Sequence, residues 1–263
     1  MKRQMEKNVP WSLAGEIDGA KVAAVKDRLL GVCLGVAATL VDEKVATMED
    51  TDRGAKIGLR WMEGPFEIIN RIGIEKTCLT VEAVAESYPD FKIPGILTRQ
   101  KASGLPFQFS CVDMDVDDGI AFITLNRPEA MNALNKNVMS QLDDRFTEAL
   151  KETSVKAIVF QGAGKAFVAG ADIRFFVEKI KTNKIDDIVA FTREGHDLFL
   201  RIENAPKKTI AILDGLSLGG GSELALACQA IVATASGSLA FPETGIGIYP
   251  GLGGMLRLAR QVG

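Results

Sequence analysis

A chain of 263 residues that is 47% hydrophobic and 25% charged can bury one large core or two smaller ones and falls outside the disordered class. Its formal charge of −3 supplies no basic excess to hold a phosphate backbone, so nucleic acid is not an expected partner. A lone histidine, His196, rules out a His-rich metal site and no metal is expected, while four widely spaced cysteines without a CxxC pair read as reduced thiols in a cytoplasmic protein.

The N-terminal MKRQMEKNVPW is charged, and no long apolar run follows it directly, so no signal peptide is expected. The most apolar segment, Leu29 to Val41, is too short to span a bilayer and reads as a buried helix. From Asp18 to Glu43, Val22, Val25, Leu29, Cys33, Val36 and Leu40 keep helical spacing, giving one long helix or two in tandem. Thr47 to Gly58 reads as a second helix capped by Thr47, with acids in its first turn. Gly64 and Pro65 break the chain, Phe66 to Ile72 forms a third helix ending at Gly73, and a fourth starts at Thr80. No strand is expected before residue 110. Residues 1–100 therefore form an all-helical domain, Pro89 to Phe109 reads as its tail and a linker, and the linker proper occupies residues 101–111.

The chain changes character in 112–263. Gly119 to Leu125, GIAFITL, is a strand, Asn135 to Leu150 an amphipathic helix, Lys156 to Phe160 a strand, and Gly162 to Asp172 a glycine-bearing loop. Asp186 to Ile202 is helical. Thr209 to Leu213 then reads as a buried strand, Gly215 to Gly221 as a turn too glycine-rich for regular structure, and Ser222 to Cys228 as a helix. Strands alternating with helices predict an α/β layer. A strand, glycine turn and helix N-terminus in succession aim unpaired N–H groups at one point, where an oxygen gaining negative charge can be held.

Two familiar patterns fail on inspection. GLSLG, Gly215 to Gly219, matches the nucleophile elbow of serine hydrolases, but that chemistry needs a histidine after the serine, and His196 precedes Ser217. GAGK, Gly162 to Lys165, lacks the rest of a phosphate loop, and no GxGxxG opens a βαβ unit, so this chain is not expected to bind NAD. Glu223 follows the glycine run by one turn and Glu243 sits in FPETGIGIYPGLGG, a loop leading into a helix at Gly254. On spacing alone these two acids are equally well read as a helix-dipole partner and a solvated loop acid.

ITLNRPEAMNAL (Ile123 to Leu134), AFVAGADI (Ala166 to Ile173), DGLSLGGGSELALAC (Asp214 to Cys228) and FPETGIGIYPGLGG (Phe241 to Gly254) resemble, in order, the signature segments of the crotonase superfamily of enoyl-CoA hydratases and isomerases. Val25 to Gly73 is similar to the C-terminal helical domain of 3-hydroxyacyl-CoA dehydrogenases, with Asp27 and Arg28 where that family usually has an Asn-Arg pair. The pairing resembles the junction of a fused dehydrogenase/hydratase. The resemblance implies an α/β, crotonase-like ββα superhelix, truncated at its C-terminus, preceded by an all-α dehydrogenase-like module whose NAD-binding domain would lie before Met1.

It also implies chemistry. The N–H groups of Ala171 and Gly220 would form an oxyanion hole for a CoA thioester, and Glu223 and Glu243 would orient water and protonate Cα in syn hydration of a trans-2-enoyl-CoA during fatty-acid β-oxidation. Gly219, with Gly220 and Gly221, would let the backbone approach the ligand, and Gly251 would add a contact near the water. Ala169, Asp172 and Ile173 would line the adenine pocket, with Arg174 at a phosphate. No cofactor beyond the substrate's own CoA is implied, and a trimer-like homo-oligomer is expected of a complete domain. The alternatives are an isomerase of the same superfamily and an inactive two-module fragment.

Overall fold

The computed structural model describes residues 18–262, apart from the side chains of Arg174, Ile246 and Val262. Contacts divide the chain into two compact units that meet between Phe109 and Ser110.

The first unit is helical: α1 (Gly19–Asp42), α2 (Met48–Gly58), α3 (Pro65–Ile72), α4 (Ile74–Ser87) and α5 (Gly95–Ser103). α1 is one continuous helix, but its buried face is not the stripe of large apolar residues. Val22, Val25 and Leu29 are 51%, 58% and 62% exposed, whereas Gly31, Leu34, Gly35 and Ala38 are buried. Two glycines one turn apart explain the difference, because a Cβ on Gly31 would lie 2.4 Å from the Thr80 carbonyl oxygen and one on Gly35 would lie 2.7 Å from the Phe91 ring. The closest helix approach thus runs along the small residues.

α4 begins at Ile74, not Thr80, since Gly73 ends α3 and starts α4 without a loop between them. The stretch expected as tail and linker contains α5, with Leu97 fully buried, and Phe107 packs edge-on against Phe66 with ring centroids 5.0 Å apart. The Asn70 side chain accepts from the Phe107 N–H and donates to its carbonyl, at 2.7 and 2.8 Å, which ties that segment to the helical core. Thr47 caps α2 as expected, its Oγ1 accepting from the Asp50 N–H. α3 is capped from a distance: both oxygens of the buried Asp52 side chain accept its first amides, Phe66 at 2.7 Å and Glu67 at 2.9 Å.

The second unit is α/β. It opens with a hairpin, β1 (Val112–Asp117) and β2 (Ile120–Leu125), joined at Asp118 and Gly119, both at positive φ. β1 alternates Val112, Met114 and Val116 with aspartates, a pattern the sequence reading passed over. Next come α6 (Lys136–Lys151), β3 (Ala157–Gly162), β4 (Ala166–Ala169), α7 (Ile173–Lys181) and α8 (Ile185–Glu203). The remainder is β5 (Lys208–Leu213), β6 (Leu216–Leu218), α9 (Gly220–Ala227), β7 (Ala230–Ala233), β8 (Ser238–Ala240) and α10 (Gly254–Val262). β4 and β6 lie in stretches expected to be irregular; they are short parallel strands whose partners are far away in sequence, so local glycine content concealed them.

The strands form a five-stranded sheet in the order β1-β2-β3-β5-β7 and a three-stranded sheet in the order β4-β6-β8. The chain visits them in strict alternation: β3 then β4, β5 then β6, β7 then β8, each pair followed by helix. A core containing Val138, Leu142, Phe146, Phe160, Leu198 and Phe199 fills the large sheet's helix-covered side. No helix among the described residues is long and apolar enough to cross a membrane.

Candidate active site

The three-stranded sheet builds the site through its register. Ala169, Leu218 and Ala240 stand abreast at the ends of β4, β6 and β8, which run parallel. Continuing each strand by two or three residues reaches Ala171, Gly220 and Glu243 along one edge. Carboxyl ends of parallel strands are where α/β proteins place ligands.

Ala171 bridges Leu134 in parallel fashion. Leu134 uses its N–H on the Gly170 carbonyl and its carbonyl on the Asp172 N–H. In that pattern the N–H of Ala171 itself points away from Leu134. Gly220 is the first residue of α9, so its N–H has no partner within the helix and points out of the positive end. Both donors lie just past the ends of the adjacent strands β4 and β6.

Glu223 lies on the first turn of α9 and is 1% exposed. Its Oε1 accepts two hydrogen bonds from the turn before α10, from the Leu252 N–H at 2.6 Å and the Gly254 N–H at 2.8 Å. Oε2 accepts none among the described residues. Burial pushes the Glu223 carboxyl above its ordinary range against these two donors, the Glu243 charge pushes the same way, and His196 opposes it. Glu243 reaches over Gly219 from the 3₁₀ turn Pro242–Ile246. A Cβ on Gly219 would sit 2.3 Å from its Oε1, and its buried Oε2 has no hydrogen-bond partner among the described residues. Two carboxylates thus meet at one helix N-terminus, each with a free oxygen.

Other expected positions divide. Ala169 ends β4 and donates its N–H to the Met131 carbonyl, and Ile173 is 70% exposed at the start of α7. The side chain of Arg174 lies outside the described residues. Asp172 differs from a plain pocket-lining residue: its carboxylate pairs with Arg127 at 3.2 Å, and both side chains are largely buried. Gly219 differs as well. Its N–H is taken by the Ala240 carbonyl and its own carbonyl by the Glu223 N–H, so it makes room for Glu243 and has no backbone group left for a ligand. Gly221 is needed for packing, since its Cβ would fall 2.0 Å from the Val168 carbonyl oxygen. Gly251 is exposed and a Cβ there would touch nothing; the amides on Glu223 come from Leu252 and Gly254. Ser217 is fully buried within β6, with no hydrogen bond to its hydroxyl among the described residues, the opposite of an exposed nucleophile.

Three supporting residues escaped the sequence reading. Asn132, fully buried, accepts from the Arg127 N–H, and its Nδ2 lies within reach of the carbonyls of Ala163, Ala166 and Phe167, holding the entry to β4. Arg127 grips Asp172 beside Ala171. Arg257 holds the turn that supplies the Glu223 donors. Asn132 and Arg127 could have been sought inside NRPEAMN, the polar insertion between strand and helix; Arg257 carried no such signal.

The family comparison agrees with this geometry. Residues 120–263 match the family model described as enoyl-CoA hydratase/isomerase, and the chain belongs to that family. It is 39% identical over 153 residues to a short-chain-enoyl-CoA hydratase of Clostridium acetobutylicum, covering 58% of this chain and 57% of that protein. It is 40% identical over 154 residues to a peroxisomal fatty acid beta-oxidation multifunctional protein of Oryza sativa subsp. japonica, covering 58% of this chain and 21% of that one. The crystal structure of enoyl-CoA hydratase from Thermoplasma volcanium superposes with a TM-score of 0.56 at 35% identity, over 60% of this chain and 62% of that one. The chain therefore spans little more than half the length of the single-function relatives it matches.

Proposed function

We propose that the second unit carries an enoyl-CoA hydratase site that adds water, syn, across the trans-2 double bond of an enoyl-CoA thioester. The observation that carries this reading is the pairing of Glu223 and Glu243, each with an oxygen that accepts no hydrogen bond among the described residues, beside the outward amides of Ala171 and Gly220. Those amides receive the thioester oxygen and stabilise the negative charge it gains. Glu223 accepts a proton from water as the water oxygen bonds to Cβ. The π electrons pass to Cα and the thioester oxygen, and Glu243 delivers its proton to Cα. The two carboxyls then differ from their starting state by one proton, which an entering water can relay between them. Both act from one face, which gives syn addition. A double-bond shift needs only one such acid, so the pair favours hydration over isomerisation.

The CoA moiety is assigned to the segment of Ala169, Asp172 and Ile173, where β4 ends and α7 begins. The helical unit, similar over Val25 to Gly73 to the C-terminal helical domain of 3-hydroxyacyl-CoA dehydrogenases, fits a role beside such an enzyme, because a hydratase yields the 3-hydroxyacyl-CoA that it oxidises. NAD would belong to a domain other than these two units.

The expected result is loss of conjugated enone absorbance when purified protein meets a short trans-2-enoyl-CoA, with Glu243→Gln slowing it by about 10² or more. A protein that binds the thioester without consuming the double bond would overturn the hydratase reading. One that ignores CoA would support an inactive two-module chain.

A further inference from the structure

We infer that Arg257, held by Glu203, is a positioning residue for Glu223, fixing the turn whose amides orient that carboxylate; the inference rests on the hydratase reading for its effect on rate, but not for its structural readouts.

Arg257 occupies an unfavourable place. It sits in the first turn of α10, where the helix dipole is positive, and it is 8% exposed while its neighbours Met255 and Leu256 are 54% and 68% exposed. A buried cation at a helix N-terminus requires compensation. Nε and Nη2 provide it by meeting Glu203 Oε2, each at 2.9 Å, at the last residue of α8. Nη1 donates to the Leu252 carbonyl at 2.8 Å. Leu252 is the residue whose own N–H donates to Glu223.

Leu252 is therefore clamped at three points: its carbonyl by Arg257, its N–H by Glu223, and its buried side chain against Gly195, where a Cβ would lie 2.7 Å from Leu252 Cδ2. Both glycines that follow leave room for the two charged groups. Gly253 has φ +92°, and a Cβ there would lie 2.7 Å from Arg257 Nη1; a Cβ on Gly254 would lie 2.6 Å from Glu223 Cγ. The relay runs from Glu203 to Arg257, through the Leu252 turn, to Glu223 Oε1, and leaves Oε2 for water. Free to swing, the carboxylate would lose the two amides and its aim at the reacting atom.

The test compares Arg257→Gln, Arg257→Lys and Glu203→Gln with the parent protein. In Arg257→Gln, amide hydrogen exchange at Leu252 and Gly254 should rise by about tenfold or more as the turn loosens. The Glu223 carboxyl, followed by carbon NMR, should titrate at higher pH once its donors are lost. Turnover should fall about tenfold with KM within about twofold, as expected when aim and not substrate binding is lost. Arg257→Lys should recover part of each effect, and Glu203→Gln should show all of them more weakly. If Arg257→Gln does not fold, Glu203→Gln carries the comparison. Unchanged exchange at Leu252 and Gly254 with unchanged Glu223 titration, in a folded variant, would reduce Arg257 to a structural strut. Failure of the hydratase reading is visible separately, as a parent protein that binds the thioester without consuming its double bond while the exchange and titration differences among the variants persist.

Discussion

Each unit buries one carboxylate against the start of a helix, and the two use their oxygens differently. Asp52 in the helical unit and Glu223 in the α/β unit are 2% and 1% exposed, and each accepts two backbone amides. Asp52 gives one oxygen to each amide, so both are consumed, and the Lys56–Glu67 ion pair stands beside it. Glu223 gathers both amides on one oxygen, keeps the other, and faces a second acid. The first arrangement is a cap with both oxygens spent, and the second keeps one oxygen open. Burial pushes both carboxyls above their ordinary values, Asp52 to about 6, so a raised carboxyl alone does not separate the two; the unspent oxygen of Glu223 does.

The contrast is broken most directly by exchanging each acid for its amide. Glu223→Gln should lower hydration by about 10² or more, while at pH 7 its unfolding midpoint should hold or rise, because a buried charge next to another acid has been removed. Asp52→Asn should leave hydration untouched and cost the helical unit about 1–2 kcal/mol, since its NH₂ group must face one of the two amide donors. Enone absorbance and denaturant titration read both outcomes. A Glu223→Gln protein that keeps its rate, or an Asp52→Asn protein that loses it, would erase the distinction.

Next in size is a pH effect on the stability of the helical unit. The folded Asp52 carboxyl titrates near 6, above its usual 3.8, so folding favours the protonated form. The stability this contributes is complete below the unfolded value and is lost as pH rises through the folded one. The helical unit should therefore weaken between about pH 4 and 6, by at most about 3 kcal/mol. In a Trp11→Phe background the remaining tryptophan, Trp61, lies in the helical unit, so its fluorescence during urea unfolding follows that unit. A midpoint that climbs over this range would contradict the assignment.

How much of this could be read beforehand follows from how local each signal is. Glu223 and Glu243 were legible because each sits in a short glycine-marked segment whose pattern survives without its partners. β4 and β6 were not, because three or four residues between glycines become strands only when β8 and one another are in place. The buried face of α1 is not legible from its apolar spacing, because Val22, Val25 and Leu29 outweigh Gly31 and Gly35 in any hydrophobic count, although the glycines decide how closely α4 can approach. Arg257 was invisible for the opposite reason. In its helix the arginine points in and Met255 and Leu256 point out, so amphipathic reasoning assigns the two faces backwards. Ion-pair partners such as Glu203, which lies on another helix, have no local signature at all.

The smallest expected effects come from the basic side chain that lowers each carboxyl. Lys56 lowers the Asp52 carboxyl, and His196 lowers that of Glu223. Lys56 is bonded to Glu67 at 2.7 Å and is partly exposed, so its charge is screened and Lys56→Gln should cost under about 1 kcal/mol. The change should appear as a small upward shift in the pH at which tryptophan-detected stability declines, with hydration unaffected. His196→Gln should add an effect that Lys56→Gln lacks: the acid limb of the hydration rate moves to slightly higher pH as Glu223 becomes easier to protonate. Each substitution removes one basic group that lowers one buried acid, so a rate effect in the second case and none in the first separates the two acids by what they do. If both variants moved stability alone, Glu223 would be a cap like Asp52, and its unused oxygen would have no bearing on chemistry.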